Sequence, residues 1–194
     1  PTISEFIHQV HDLHQLGIVH RDIKPGNLML EMNHLRIYGV VGLVDFGMSL
    51  RINRKQDEKG AIGGTEPYSH PTQMDEKFKT FRAHPGQDWY ALGRTILHLA
   101  IGGNHTSLNA FIQGCSKSQI DSAISEIERH WSGTIPEPLA ELIRFSVKPE
   151  SGTEAALETL QTLGQSCAEQ ISRLTQSPEG QSALGFQKNA RARP

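Results

Sequence analysis

Apolar residues recur at Ile3, Phe6, Ile7, Val10, Leu13 and Leu16, a three-and-four spacing that predicts an amphipathic helix, and Gly17 closes it ahead of the short apolar run Ile18-Val19. Leu28-Met29-Leu30 and Gly39 to Val44 predict two short strands joined by a turn at Glu31 to His34. Met48 to Gly64 is polar, with Arg51 to Lys59 mostly charged, and predicts a surface loop. A strong helical pattern begins at Asp88, with Leu92, Ile96, Leu97 and Ala100 on one face and Gly102-Gly103 as its stop. Three further amphipathic patterns, Gln119 to His130, Pro136 to Val147 and Thr153 to Leu163, are separated by Gly-, Pro- and Ser-containing links. From about Gln165 the chain is richer in Ser, Gln, Gly and charge, which predicts a partly helical, then disordered tail. The organisation is therefore one mainly α (α+β) domain over residues 1–164 and a tail over 165–194, with no internal repeat.

Composition changes this picture little. The chain has 194 residues, 37% hydrophobic, and a net charge of −2, so no broad field points to nucleic acid or an anionic membrane as partner. The longest apolar stretch, Ala91 to Ile101, is interrupted by Arg94 and His98 and falls short of the ~20 residues a membrane span needs, so it predicts a core helix. Cys115 and Cys167 lie far apart without metal-type spacing, which fits a reducing, cytoplasmic setting. His8, His11 and His14 sit three apart, but no carboxylate or cysteine completes a ligand set, and the expected reading is a half-exposed helix face. The chain opens on Pro1 with no basic-then-apolar leader, and its beginning is expected to lie upstream.

The chemistry is concentrated in His20-Arg21-Asp22-Ile23-Lys24-Pro25-Gly26-Asn27 and in Val44-Asp45-Phe46-Gly47. Phosphoryl transfer needs oxygen ligands that hold a cation against phosphates and a carboxylate that orients the attacking hydroxyl, and these two runs contain both. They resemble the catalytic loop H-R-D-x-x-x-x-N and the metal loop D-F-G of eukaryotic-type protein kinases, and Lys24, two residues after Asp22, resembles the serine/threonine branch. The resemblance covers residues 1 to about 164 and implies the large C-terminal lobe of a kinase, with a short antiparallel strand pair at the active site.

The resemblance implies roles. Asp22 would accept or orient the substrate hydroxyl proton, Asn27 and Asp45 would hold Mg²⁺, and Lys24 would neutralise the transferring phosphate of ATP. Arg21 would steady the activation segment, and His20 would pack under the metal loop, supporting Phe46 beside Gly47. Gly64-Thr65-Glu66-Pro67-Tyr68 resembles the substrate-binding stretch, so Thr65 would bridge Asp22 and Lys24. Asp88 would cap the backbone of the catalytic loop, a role compatible with its being a helix N-cap.

The chain also departs from the family pattern. Asp45 follows Asp22 by 23 positions, more than is usual, which predicts a longer hairpin between them. No Gly-rich phosphate loop, nucleotide-pairing strand lysine or partner glutamate occurs in these residues, which implies a longer enzyme whose small lobe is not here. His70-Pro71-Thr72 stands where the family has Ala-Pro-Glu, and the arginine that pairs with that glutamate is lacking around Lys148 to Thr153. Losing both partners leaves no orphaned charge, so the lobe is expected to fold. Ala61 occupies the position of the usual activating phosphothreonine, and Asp57 or Glu58 is expected to supply charge to Arg21 instead, giving a constitutive or partner-controlled enzyme. The expected function is Mg-dependent transfer from ATP to Ser/Thr of a protein substrate. The alternatives are a non-catalytic docking lobe that binds a partner protein through the helices at 119–147, and a small-molecule kinase of related fold.

Overall fold

The computed structural model describes residues 2–33, 36–54, 63–74, 82–102, 105–114, 116–131 and 135–176. The predicted first helix is α1, Thr2–Gln15, and Ile18–Val19 follows it as strand β1. A single 3-10 turn at Pro25–Asn27 leads into β2, Leu28–Asn33, which pairs antiparallel with β3, Arg36–Leu43. Both strands are longer than predicted. The residues expected to turn, Glu31 to His34, are mostly strand, because Glu31 faces Gly39 and Asn33 faces Arg36 in the ladder. The extra spacing before Asp45 is thus taken up by strand length, with register shifts at Met29/Leu30 and Glu31/Met32 absorbing the odd residues. Strand β4, Leu50–Arg51, pairs with β1, opposing Arg51 to Ile18 and Leu50 to Val19.

The rest is helical: α2, Pro71–Met74; α3, Pro85–Ile101; α4, His105–Gly114; α5, Lys117–Trp131; α6, Glu137–Ser146; and α7, Leu157–Gln176. Helix α2 is too short to be read from periodicity, and α4, although as long as α6, is not among the predicted helices. The start of α3 corrects the reading of Asp88 as a helix N-cap. His84 holds that place, its Nδ1 accepting from Gly86 N while Gln87 Oε1 accepts from His84 N, with Pro85 in the first turn. Asp88 is left free for another task.

Helix α3 is buried on all sides from Pro85 through Leu92, its polar Gln87 and Asp88 included, which hydrogen bonds satisfy, and it packs against α1, α5, α6 and α7. No described helix is long and apolar enough to cross a membrane. Trp89 is fully buried, and its indole lies so close to Gly164 of α7 that a Cβ there would stand 2.0 Å from a ring carbon. That contact shows why the boundary at 164 does not hold in the structure. Helix α7 runs unbroken through it, and Cys167, Ala168 and Ile171 on its second half belong to the same core. Burial pushes the Cys167 thiol up to about 12, so it packs as a small apolar group. Residues 177–194, the rest of the expected tail, and Cys115 lie outside the described residues.

Candidate functional site

The loop between β1 and the Pro25–Asn27 turn carries Asp22, and three donors converge on its carboxylate. Thr65 Oγ1 donates to Oδ1 at 2.8 Å, while Lys24 Nζ at 2.8 Å and Asn27 Nδ2 at 2.9 Å donate to Oδ2. Lys24 Nζ also donates to Thr65 Oγ1 at 2.8 Å, so the threonine hydroxyl bridges the ammonium and the carboxylate. Burial alone pushes the Asp22 carboxyl up, but the hydrogen bonds from Lys24, Thr65 and Asn27 and the lysine charge outweigh it and hold it below the ordinary carboxylate value. Asp22 is therefore ionised at neutral pH. Lys24 and Thr65 come from segments 41 positions apart, and only the return of the polar loop to the catalytic loop brings them together.

The metal-loop residues are held by β3. Val44 N donates to Asn27 O at 3.0 Å, and His20 Nε2 lies 3.2 Å from Val44 O, which ties the end of the strand to the catalytic loop. The His20 ring sits 4.8 Å from the Phe46 ring, as expected, although Phe46 is 49% exposed. Asp45 has a left-handed backbone (φ 64°), and its Oδ1 accepts from Gly47 N at 3.3 Å at the start of a 3-10 turn over Phe46–Met48. Asp45 is exposed, and among the described residues its carboxylate makes no hydrogen bond to the Asp22 cluster. Asn27 uses Nδ2 on both Asp22 O and Asp22 Oδ2, which leaves its Oδ1 without a hydrogen bond among the described residues. An open amide oxygen and an exposed carboxylate are hard oxygen donors, and that donor set fits Mg²⁺.

Asp88, fully buried, takes three hydrogen bonds: from His20 N and Arg21 N at 2.7 Å each, and from His14 Nε2 at 2.9 Å. A carboxylate can only accept, so His14 carries its proton on Nε2 here. His14 does not lie on the half-exposed face expected of it: its side chain is buried and stands edge-on to Trp89 with ring centroids 5.4 Å apart. The signal is present in the sequence, because residues 3, 7, 10 and 14 form one stripe and His14 ends it. His8 bonds Ser172, and among the described residues no group of three His, Cys, Asp or Glu side chains is placed to hold a metal. Arg21, also left-handed (φ 69°), is buried and donates from Nη1 to Met48 O at 3.3 Å; burial lowers its pKa to about 10 against the opposing charge of Asp88. Asp57, Glu58 and Ala61 lie outside the described residues.

Thr65 is set by residues that carry no motif. Its N donates to Ser69 Oγ at 2.7 Å, and its carbonyl accepts from Tyr68 N and Ser69 N. Beyond it, the His70-Pro71-Thr72 departure becomes a buried neutral network. His70 Nδ1 lies 2.8 Å from Thr72 Oγ1 and Nε2 2.8 Å from Ser151 O, while Gln87 Nε2 donates to Thr72 Oγ1 at 3.0 Å. Burial lowers the His70 pKa to about 4, with Arg94 and His84 adding to the effect and the bond to Ser151 opposing it. An uncharged imidazole thus makes the connection to the 149–152 turn.

A carboxylate held by an adjacent lysine and a returning threonine, over an asparagine and followed by an Asp-Phe-Gly turn, accords with the match of residues 2–162 to the model of the protein kinase domain family. The chain belongs to that family. Its fold is the large lobe of a kinase. Serine/threonine-protein kinase MRCK gamma of Mus musculus is 36% identical over 103 residues, covering 52% of this chain and 6% of the relative. Citron Rho-interacting kinase of Mus musculus is 35% identical over 103 residues, 52% of this chain and 5% of the relative. Dual specificity protein kinase zak2 of Dictyostelium discoideum is 36% identical over 110 residues, 53% of this chain and 16% of the relative. The kinase lobe therefore matches a small part of each relative's length.

Proposed function

We propose that this lobe transfers the γ-phosphoryl group of ATP to serine or threonine hydroxyls of a protein substrate in the cytoplasm, together with a nucleotide-gripping small lobe outside these residues. The observation that carries the reading is the sharing of one buried carboxylate, Asp22, by Lys24, Thr65 and Asn27. Asn27 Oδ1 and Asp45 would hold Mg²⁺, which when bound neutralises phosphate charge and aligns the transferring group. Asp22 accepts the hydrogen of the substrate hydroxyl and aims its oxygen in line. Its depressed pKa makes it a weak base, so it contributes orientation more than early proton removal, which suits a loose transition state. Lys24 adds positive charge where phosphate charge develops, and Thr65 fixes the lysine at that place. Apolar Met29 of β2 and Phe46 of the metal loop, 48% and 49% exposed, are in keeping with a second lobe covering them.

The second reading, a docking lobe, draws on an open cleft of about 610 Å³ between α5, α6 and α7, lined by residues of both signs including Asp121, Glu137, Arg144 and Lys148. Labelled phosphate transfer from ATP to a generic basic protein separates the two. The intact protein is expected to transfer, and Asp22→Ala to lower turnover by roughly 10²–10⁴-fold without unfolding. Near-normal turnover in Asp22→Ala sinks the kinase reading, and an inactive intact protein leaves the docking lobe.

A further inference from the structure

The carboxamide of Gln73, on α2, is buried, and its Nε2 faces two backbone carbonyls: Arg21 O at 2.5 Å in the catalytic loop and Gly63 O at 3.2 Å in the returning segment. Two carbonyl acceptors can be met only by an NH₂ group, which fixes the orientation of the amide. Its Oε1 finds no hydrogen-bond partner among the described residues, so the side chain is held for its donors alone. The backbone completes the link, because Gly63 N donates to Gln73 O at 2.9 Å. The loop closed in this way, from residue 63 to residue 73, contains Thr65 and the Ser69 that holds it. Gly64 is shaped for this closure: its φ is +152°, and a Cβ there would stand 2.8 Å from Gln73 Nε2 and 2.1 Å from Ser69 Oγ.

We propose that Gln73 is a positioning residue for phosphoryl transfer, clamping the carbonyl next to Asp22 to the segment that presents Thr65. This rests on the kinase reading and adds how that site is held. Arg21 is buried with its Nη1 on Met48 O, and Gln73 makes the connection between the two segments with a neutral amide. The expected consequence is a segment docked through hydrogen bonds instead of through an added charge.

The test uses the intact protein with Gln73→Met, which keeps the volume and removes the donors, and Gln73→Glu, which sets acceptors against acceptors. Turnover in Gln73→Met is expected to fall roughly ten- to a hundred-fold with the KM for ATP unchanged, as loss of a buried donor facing two carbonyls implies. Amide exchange at residues 63–69 is expected to rise by a similar factor, with the melting temperature falling by only a few degrees. The Glu variant carries a donor only when protonated, so its activity relative to wild type is expected to recover as pH falls from 8 to 6. Among the described residues, the titratable groups linked to it are Arg21, whose carbonyl the amide meets, Asp22 next to it, Asp88, which accepts from Arg21 N, and His70, whose carbonyl accepts from Gln73 N. Asp22 is held below the carboxylate range and His70 is neutral down to about 4, and the parallel wild-type profile removes what the others contribute. Turnover within two-fold of wild type in Gln73→Met, or no acid recovery in Gln73→Glu, overturns the proposal. Should Gln73→Met fail to fold, the pH profile of Gln73→Glu decides. Should the wild type transfer no phosphate, the kinase reading falls, and exchange at 63–69 alone decides the clamp: faster in the variants supports it, unchanged overturns it.

Discussion

Two polar clusters lie close together along the same segment and are built on opposite electrostatic plans. Around Asp22 the contacts are charged and half-open: a carboxylate, an ammonium and a hydroxyl within hydrogen-bond reach of one another. Around His70 they are neutral and closed to water: an imidazole, a hydroxyl, an amide and a backbone carbonyl. The difference follows from what each must do. Charge facing an opening can act on a phosphate, whereas charge sealed in the interior without a partner costs several kcal/mol. Where this lobe lacks the glutamate and the arginine together, hydrogen bonds that need no counter-charge make the connection.

The largest effect that could break this comparison comes from putting charge into the neutral cluster. Thr72→Glu installs a carboxylate beside His70 and Gln87, where the neighbouring Arg94 already donates to Ser146 O and Pro67 O, and should cost about 3–5 kcal/mol, read as a fall in the urea midpoint. A variant as stable as wild type would show that the cluster tolerates charge. A smaller effect is expected with pH. The folded state holds the His70 pKa near 4 while the unfolded chain takes up that proton near 6.5, so stability is full above 6.5 and declines as pH falls from 6.5 to about 4. The loss approaches about 3 kcal/mol, and denaturant melts at pH 7 and 4.5 should show it in wild type and much less of it in His70→Asn. Asp22 acts with the same sign but lower: its stabilisation is present above its unfolded pKa near 4 and is lost only as pH falls through its depressed folded value. The smallest effect probes the join between the clusters. Ser69→Ala removes the acceptor of Thr65 N and should cost about 1 kcal/mol and lower turnover a few-fold, measured with wild type side by side.

Much of the local organisation is legible in the amino-acid sequence. The stripe at Phe6, Ile7 and Val10 specifies α1 and its buried face. The run from His20 to Asn27 brings Lys24 and Asn27 onto Asp22 by short covalent spacing, and Asp45 to Gly47 forms its own turn, while the hydrogen bond from Val44 N to Asn27 O joins the two. Asp88 is legible in its task on the catalytic loop, and His20 N and Arg21 N do reach its carboxylate. The strand ends are not legible because a ladder is a pairing, and Glu31 becomes strand only when Gly39 faces it. The end of the core is hidden for a similar reason: α7 is held past 164 by Trp89 of α3, a contact no local pattern records.

What the sequence determined by itself is the set of groups and their order: helix faces, the Asp22 and Asp45 loops, and the absence of the Glu–Arg pair. Such properties depend on spacings of a few residues, where bond geometry dictates what can face what. What only the tertiary structure decided is which polar groups are buried and whom they meet: His14 on Asp88, Ser69 on Thr65, His70 on Ser151, and Gln73 between Arg21 and Gly63. Many of those partners are tens of positions apart, and a polar residue in the interior owes its hydrogen bonds to whatever the packing of the helices brings alongside it.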